Sequence, residues 1–501
     1  MKLSRRDFLK LSSLLPLALL PGADVGSRGY RAPLGTPNIL ILVFDALSAK
    51  NMSLYGYPRP NTPNLSRAAE KGTVFHQHFA GGNFTIPGTA SLLTGAYPWS
   101  HRAFHMYGET TTAFQTRNIF ELFRETHRTF AYSHNPFVNV LLQQFQHGIR
   151  DYLGPAGLEL FTASLADRSG RDFTALSQAE YLVLWKEDGP ASFLLSRLFR
   201  TWRLREEARL GREYAEEFPV GVPNSIISYY TLEDAMDWIK TQVTGQGEPF
   251  MGYVHLLPPH FPYTPRQDFL GKFTDGWNPS PKPESAFSER RDEVFLGQQR
   301  RQYDEFIAYC DAEFGRLYDD LEKAGALDNT ILVLTSDHGE MFERGLWAHS
   351  NPTLYEPLLR VPLVIWTPGG QAGHITQPTS CTDLLPSLLA AAGMPAPPWV
   401  EGQNFFDAVP LRASRAIYSM ELSRNAKTAP LAKGSFAIIR DGFKLTRYTG
   451  YEGIETFSEL YDLNDDPEER ANLFPASPAI LHSLGEELDD NIAAADHRMA
   501  Q

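Results

Sequence analysis

The chain has 501 residues, of which 43% are hydrophobic and 21% charged, as expected for a globular protein with a large buried core. Aspartate and glutamate (59) outnumber lysine and arginine (46), and the net charge of −13 argues against binding to nucleic acid, because phosphate backbones are held mainly by basic side chains. Abundant apolar residues exclude intrinsic disorder, and two cysteines, Cys310 and Cys381, are too few for a disulfide-stapled scaffold. In an oxidising compartment the two could pair, or both could be buried free thiols.

The extreme N-terminus is predicted to be an export signal. Residues 4–10 read Ser-Arg-Arg-Asp-Phe-Leu-Lys and precede an apolar stretch over residues 11–20, which is about half the length of a membrane-spanning helix. The paired arginines resemble a twin-arginine signal, which implies a prokaryotic protein exported after folding to the periplasm or cell surface, with the twin-arginine export machinery as a partner. Because no clear Ala-x-Ala cleavage site follows, an uncleaved segment that stays near the membrane is an alternative.

The pattern after residue 36 predicts an α/β fold. Residues 38–45 (Asn-Ile-Leu-Ile-Leu-Val-Phe-Asp) form an apolar run typical of a strand buried on both faces of a parallel sheet. Strands that alternate with helices predict a three-layer α/β sandwich with a largely parallel central sheet. Further strands are predicted at 250–255, 330–334 and 361–366, with helices at about 231–243, 303–324 and 383–392.

Changes in this pattern predict the domain organisation. A signal segment over residues 1–27 precedes a catalytic domain over residues 36–400. Within that domain, residues 141–228 are charge-rich and helical in pattern, which predicts an inserted lid or rim or, equally, a solvated helical hairpin that takes no part in substrate binding. Residues 401–501 are predicted to form a small α+β C-terminal subdomain.

A helix is predicted to begin at Thr85 in the segment Thr85-Ile-Pro-Gly-Thr89, because threonine is a good N-cap and proline is tolerated in the first turn. Free N–H groups and the positive end of the helix dipole make such an N-terminus a binding site for anions. A hydroxyl placed there could attack a bound oxyanion. The alternative is a plain helix cap, which the segment taken alone favours.

Two metal-ligating side chains, Asp337 and His338, follow the predicted strand at 330–334. Asp45 ends the first strand, and the carboxyl ends of parallel strands are where α/β proteins build their sites. Mixed oxygen and nitrogen ligands suit Mn²⁺ or Zn²⁺, whereas oxygens alone would point to Mg²⁺ or Ca²⁺. The set predicts one divalent cation (Mn²⁺, Zn²⁺ or Ca²⁺), which could deprotonate Thr85 and take it as a further ligand.

Two more histidines are candidates for proton transfer. His260 lies in the segment His255-Leu-Leu-Pro-Pro-His260-Phe-Pro-Tyr263, and His349 comes eleven residues after His338. Each could give a proton to a leaving oxygen or neutralise an oxyanion, although either taken singly could be a surface or core histidine. No Gly-x-Ser-x-Gly elbow, P-loop or dinucleotide fingerprint is present, which weakens serine hydrolase, NTPase and dehydrogenase interpretations.

Taken in order, these motifs resemble the sulfatase family of the alkaline phosphatase superfamily. The likeness covers about residues 37–140 and 230–475, and its blocks include Pro37-Asn-Ile-Leu…Asp45, Thr62-Pro-Asn-Leu65, Pro259-His-Phe-Pro-Tyr263, Ser336-Asp-His-Gly-Glu340, Asp383-Leu-Leu-Pro-Ser and Glu459-Leu-Tyr-Asp-Leu463. The resemblance implies that Thr85 is the nucleophile and that His260 contacts the substrate or leaving group, with His349 approaching the same site. It also implies that the metal ligands are Asp45, Asp337 and His338.

Departures from the family pattern bear on the substrate. Family sulfatases carry a cysteine or serine that is oxidised to formylglycine, which Thr85 cannot become, and the second aspartate of the usual pair is Ala46. The family's Lys-x-His segment is replaced by Ser133-His134-Asn135, so the resemblance implies a one-metal site with reduced positive charge. A threonine nucleophile resembles those of phosphoglycerol and phosphoethanolamine transferases and related phosphoesterases.

The sequence therefore predicts an exported, metal-dependent hydrolase that acts through Thr85 on a phosphate ester, with a diester favoured, or on a sulfate ester. The alternatives are a sulfuric ester hydrolase proper, a phosphoglycerol- or phosphoethanolamine-type transferase, and a non-catalytic metal-binding surface protein. The expected substrate is a small-molecule, lipid or glycan ester. Its organic part and the oligomeric state are left open.

Overall fold

A computed structural model describes residues 35–106, 108–154, 157–162, 194–225, 228–245, 247–370, 372–406 and 414–500. The predicted signal segment and residues 163–193 of the predicted insertion lie outside the described residues. Among the helices that are described, none combines the length and the apolar character that crossing a membrane requires.

The elements alternate between strands and helices over most of the chain. The strands are β1 (Asn38–Phe44), β2 (Thr73–Phe75), β3 (His78–Phe79), β4 (Arg128–Ser133), β5 (Asp151–Leu153), β6 (Phe161–Thr162), β7 (Asn224–Ser225), β8 (Ser228–Tyr229), β9 (Phe250–Leu256), β10 (Thr330–Thr335), β11 (Phe342–Glu343), β12 (Leu346–Trp347), β13 (Leu363–Trp366), β14 (Gly373–Ile375), β15 (Thr379–Ser380), β16 (Ile417–Glu421), β17 (Gly434–Arg440), β18 (Phe443–Thr449) and β19 (Phe457–Asp462). The helices are α1 (Pro63–Ala69), α2 (Thr85–Thr94), α3 (Pro98–His101), α4 (Ile119–Phe123), α5 (Pro136–Gln144), α6 (Leu194–Glu213), α7 (Leu232–Thr244), α8 (Glu293–Lys323), α9 (Glu356–Leu359), α10 (Leu384–Ala391) and α11 (Pro478–Ala500).

An eight-stranded sheet forms the centre, in the order β14-β2-β13-β10-β1-β9-β4-β5. Seven strands run in the same direction and β13 opposes them, since it pairs antiparallel with both β10 and β2. The structure thus confirms the predicted largely parallel sheet. The pairing of the central strands aligns their carboxyl ends. Val43 of β1 lies directly between Thr335 of β10 and His255 of β9.

Both faces of this sheet are covered, as a buried parallel sheet requires. Successive side chains of a strand point to opposite faces, so Leu40, Leu42 and Phe44 of β1 join one apolar core with α1, α7 and α8. The alternate residues of β1 join a second core with α2, α5 and α10. The predicted three-layer sandwich is confirmed. Helix α8 begins ten residues before the predicted start, because Asp292 caps it by accepting a hydrogen bond from the Phe295 N–H.

The remaining described elements form smaller units. Strands β16 to β19 make an antiparallel sheet in that order, and α11 packs on it through Leu484 and Leu488. Between α5 and α7 the described residues form helix α6 and a three-stranded sheet, β6-β8-β7. Cys310 and Cys381 are buried free thiols in the cores on opposite faces of the central sheet, so the disulfide alternative is not realised.

Candidate active site

The carboxyl ends of three adjacent strands bring three ligating side chains together. Asp45 is the first residue after β1, Asp337 is the second residue after β10, and His255 is the last residue but one of β9. The His255 Nε2 atom is 3.0 Å from Asp45 Oδ2 and 3.8 Å from Asp337 Oδ2, and all three side chains are fully buried. This cluster joins residues that are about 80 to 290 positions apart in the chain because the strand register places them at one level.

His338 belongs to the same cluster. Its Nε2 atom lies 3.4 Å from Asp45 Oδ1 and 3.6 Å from Asp337 Oδ2. The turn that carries it is fixed, since the Ser336 hydroxyl donates to the His338 carbonyl and the His338 N–H donates to Asp337 Oδ1. The His338 Nδ1 atom donates to the carbonyl of Gly339, which leaves Nε2 facing the carboxylates.

The residues present fit a cation. Asp45 Oδ1 and Asp337 Oδ2 are buried carboxylate oxygens with no hydrogen-bond partner among the described residues, an arrangement that is costly unless a cation neutralises them. His255 supports this interpretation, because its Nδ1 atom pairs with the Tyr253 hydroxyl at 2.8 Å and so orients Nε2 towards the acids, as expected for a metal-ligating histidine. Two carboxylates and two imidazoles form the donor set.

The electrostatics of the cluster favour positive charge at its centre. Burial opposes ionisation of Asp45, but the adjacent His255 and His338 outweigh it and hold the pKa of the carboxyl well below its ordinary value. Burial and the charge of Asp45 raise the pKa of Asp337. Burial also opposes the charged form of His338, yet the Asp337 and Asp45 carboxylates raise its pKa to about 9. These carboxylates therefore stabilise whichever cation lies between them.

Thr85 is the first residue of α2, as predicted, and is buried beside the cluster. Its hydroxyl oxygen lies 3.4 Å from His338 Nε2. Gly88 permits this approach, because a Cβ atom at that position would lie 2.1 Å from the carbonyl oxygen of Asp337. Any larger residue would push the helix N-terminus away from the turn that carries the two ligands.

Asn135 is a site residue that sequence reasoning missed. It follows β4 and caps α5 by accepting a hydrogen bond from the Phe137 N–H. Its Nδ2 atom donates to Asp45 Oδ2 at 2.5 Å and lies 3.4 Å from the Thr85 hydroxyl. The pair Asn135-Pro136 was a usable signal for a helix cap, since asparagine is a favoured N-cap and proline is tolerated at the first helical position, but it carried no signal for the contact with Asp45. His255, whose ring faces the same carboxylates, was also missed as a candidate ligand.

The neighbouring His134 does not enter the site. Its ring stacks on that of Tyr230, with 3.8 Å between the ring centroids. Both of its ring nitrogens are buried without a hydrogen-bond partner among the described residues. Burial lowers the pKa of His134 to about 3, so the side chain is neutral. Of the segment 133–135, Asn135 alone therefore contacts the acids.

His260 and His349 line a cavity of about 500 Å³ that also reaches Thr85. Their ring centroids are 4.8 Å apart, and His349 lies 4.3 Å from His338. The Nδ1 atom of His260 donates to the Phe261 carbonyl, and that of His349 pairs with Glu340 Oε1 at 2.9 Å. Burial lowers the pKa of His260 to about 4 and that of His349 well below its ordinary value, so each imidazole is neutral. Among the described residues, neither Nε2 atom has a hydrogen-bond partner.

The structure thus brings together all six residues named from the sequence: Asp45, Thr85, Asp337 and His338 in the cluster, and His260 and His349 in the adjoining cavity wall. The geometry places buried carboxylates and imidazoles that could hold a cation next to a hydroxyl at a helix N-terminus and two imidazoles on one cavity. It is suited to displacement at a tetrahedral oxyanion.

Comparisons with known proteins agree with this geometry. The family described as "Sulfatase" matches residues 37–394, and that described as "N-sulphoglucosamine sulphohydrolase, C-terminal" matches residues 344–495. The choline-sulfatase of Rhizobium meliloti (strain 1021) is 25% identical over 461 residues, which cover 88% of this chain and 82% of that protein. The N-acetylgalactosamine-6-sulfatase of Canis lupus familiaris is 26% identical over 404 residues, 76% of this chain and 66% of that protein.

A solved structure extends the likeness in fold. The phosphonate monoester hydrolase of Agrobacterium radiobacter superposes with a TM-score of 0.63 at 19% identity, over 92% of this chain and 96% of that chain. The shared architecture therefore spans the central sheet and the C-terminal antiparallel sheet.

Proposed function

The chain belongs to the sulfatase family of hydrolases, and on that basis we propose that it hydrolyses monoanionic phosphate esters, with phosphodiesters as preferred substrates and Thr85 as nucleophile. The observation that carries the proposal is the position of Thr85. Its hydroxyl lies at the N-terminus of α2, 3.4 Å from His338 Nε2, beside two buried carboxylates.

The residues that would hold a divalent cation are Asp45, His255, Asp337 and His338, with Thr85 adjacent. When bound, the cation supplies positive charge that lowers the pKa of the Thr85 hydroxyl and offsets the charge of the ester. Two imidazoles beside two carboxylates favour Mn²⁺ or Zn²⁺ over Ca²⁺, which prefers six to eight oxygens.

The charge of the site supports a monoanionic substrate. No lysine or arginine among the described residues forms an ion pair with Asp45 or Asp337, and Arg424 lies at the exposed rim of the adjoining cavity. Ala46 adds no third carboxylate for a second cation. A phosphodiester and a sulfate monoester each carry one negative charge, whereas a phosphate monoester carries nearly two at neutral pH. One cation and a helix N-terminus match the smaller charge.

The threonine nucleophile favours a phosphate ester over a sulfate ester as the substrate. The formylglycine of family sulfatases releases sulfate from an aldehyde hydrate, which a threonine cannot form. A phospho-threonine can instead be resolved by a second in-line attack. The proton that Thr85 loses is taken up at the Nε2 atom of His260 or His349 and passes to the leaving oxygen as the P–O bond breaks. The imidazole, neutral again, then deprotonates the water or acceptor alcohol, and that proton returns to Thr85 when the phospho-threonine is resolved.

This proposal is tested with three matched aryl esters of the same phenol: a methyl phosphodiester, a phosphate monoester and a sulfate ester. With the Mn²⁺-loaded protein we expect kcat/KM for the diester to exceed that for the sulfate at least tenfold. A sulfate ester cleaved faster than the diester would instead favour the second candidate, a sulfuric ester hydrolase that uses unmodified Thr85. The names of the two curated relatives support that candidate.

Export is a separate proposal that rests on residues 4–20. The Arg5→Lys and Arg6→Lys double variant keeps the charge but removes the paired arginines, which only the twin-arginine pathway reads so strictly. We expect the precursor to accumulate in the cytoplasm, measured by fractionation and immunoblotting against the parent. A Lys2→Arg variant, which leaves the pair intact, is the control. Unchanged export of the double variant would mean that another pathway carries the protein.

A further inference from the structure

The cavity beside Thr85 has a markedly apolar wall away from the reacting groups. Thr85, His260 and His349 form one side of the space of about 500 Å³. The apolar side chains around the remainder come from five separate segments and are Phe84, Ile86, Met106, Phe137, Phe261 and Pro352. Such a volume is that of a small-molecule site, and apolar walls gain free energy when they exclude water against an apolar ligand.

The buried polar groups in this wall are already hydrogen-bonded. The two carboxylate oxygens of Glu421 accept from the Ser423 N–H and the Tyr451 hydroxyl. The amide of Asn351 donates to the Ala348 carbonyl and accepts from the Thr353 N–H. These hydrogen bonds hold both side chains in place, so a ligand hydroxyl could pair only with the lone pairs of Glu421 and the single amide N–H of Asn351 that they leave over.

The other polar side chains that line the cavity are exposed. Ser350, Ser423 and Arg424 lie at solvent, and the Arg424 guanidinium lies over the Tyr451 ring at 4.7 Å. Against the apolar part of the wall a sugar would lose hydrogen bonds between its hydroxyls and water and regain none, since the available polar side chains lie at the exposed rim. An alkyl or aryl group would lose none.

We infer that the leaving group of the substrate is apolar, an alkyl or aryl alcohol rather than a polyhydroxylated sugar. The inference rests on the proposed function for the identity of the reacting centre. The proposed function assigns protonation of the leaving oxygen to His260 or His349, and both imidazoles line this cavity, so the leaving group would lie in it. Phe137 and Met106 form the part of the wall that discriminates between leaving groups.

The test uses methyl 4-alkylphenyl phosphodiesters with ethyl, butyl and hexyl chains, together with the 4-glucosyloxyphenyl ester. The leaving phenols have closely similar acidity, so the series changes the size and polarity of the leaving group and not its chemistry. We expect kcat/KM to rise roughly three- to fourfold per added methylene until the cavity is filled. The hexyl ester should exceed the glucosyl ester at least tenfold. A flat series, or a preferred glucosyl ester, would overturn the inference.

Binding separates this inference from the proposed function. The Mn²⁺-loaded Thr85→Ala protein is titrated calorimetrically with the hexyl and glucosyl esters, and we expect the hexyl ester to bind at least tenfold more tightly. If the parent protein hydrolyses no diester, the proposed function fails. The two dissociation constants would still show whether the cavity prefers an apolar group or a sugar. Equal dissociation constants would overturn the inference even if diesters are hydrolysed.

Two variants test which part of the cavity wall distinguishes the hexyl ester from the glucosyl ester. Phe137→Ser and Met106→Ser should each reduce the hexyl-to-glucosyl ratio to about threefold or less. The Met106 side chain is 45% exposed, so its replacement tests the wall without risk to the core. Phe406→Ser is the matched control, because this 38% exposed phenylalanine lies beside Pro37 at the opposite end of β1, and it should leave activity and ratio unchanged. If neither cavity variant alters the hexyl-to-glucosyl ratio, Phe137 and Met106 do not discriminate between leaving groups.

Discussion

Thr85→Ala is expected to lower kcat/KM for a phosphodiester by at least about 10³-fold while the protein keeps its cation, because loss of a nucleophile removes the covalent route. The change deletes one hydroxyl and leaves Asp45, Asp337 and His338 intact. Activity on an aryl phosphodiester and metal content by elemental analysis are the two measurements. Thr85→Ser restores a hydroxyl at the same helix position and should retain part of the activity.

A second threonine of the same helix provides the control. Thr94 ends α2, and its hydroxyl donates to the Ala90 carbonyl at 2.6 Å, so Thr94→Ala removes a buried hydroxyl at the end of the helix away from the cluster. Some loss of stability but near-parental activity is expected of it. If Thr85→Ala also turns over at near the parental rate, a water molecule and not Thr85 attacks the ester.

Local pattern was sufficient to predict the strands that build the site. In β1, Asn38 is followed by six consecutive apolar residues. A strand buried on both faces shows such an unbroken apolar run, which makes its ends easy to recognise in the sequence. Asp45, Asp337 and His338 follow such strands directly. Because carboxyl ends of parallel strands meet at one edge, their chain positions alone indicated that they would converge.

The residues that were missed depend on register and on packing between distant segments. His255 lies inside an apolar strand, and only the pairing of Val43 with His255 places its ring level with Asp45. Asn135 reaches Asp45 because β4 pairs with β9, a contact between segments more than 100 residues apart. No property of either local sequence distinguishes these side chains from a buried histidine and a helix cap.

The apolar cavity could not be predicted for the same reason. Its walls come from the N-terminus of α2, the loop after α3, the first turn of α5, the loop after β9, the segment that follows β12 and the end of β16. Each of the apolar residues taken alone predicts core packing. Their common exposure to one space beside Thr85 emerges only when the fold brings these six segments together.

Asp337→Ala is expected to abolish cation binding and with it most of the activity. The variant removes one of two buried carboxylates that converge on the site, and elemental analysis after dialysis should show about one equivalent of metal in the parent and almost none in the variant. Asp383→Asn is the control, because this buried carboxylate pairs with Arg415 at 2.8 Å away from the cluster and should leave metal content unchanged.

Stability provides an independent readout of the same change. Without metal, burial and the charge of Asp45 raise the pKa of Asp337, so this carboxylate is held in an unfavourable environment and its removal should cost little. With metal at a hundred times its dissociation constant, binding to the folded state should add about 2.7 kcal/mol to the free energy of unfolding of the parent and nothing to that of Asp337→Ala. Chemical denaturation with and without Mn²⁺ measures both values. An equal metal-dependent gain in the two proteins would mean that the cation binds without Asp337, and the ligand set would have to be sought elsewhere.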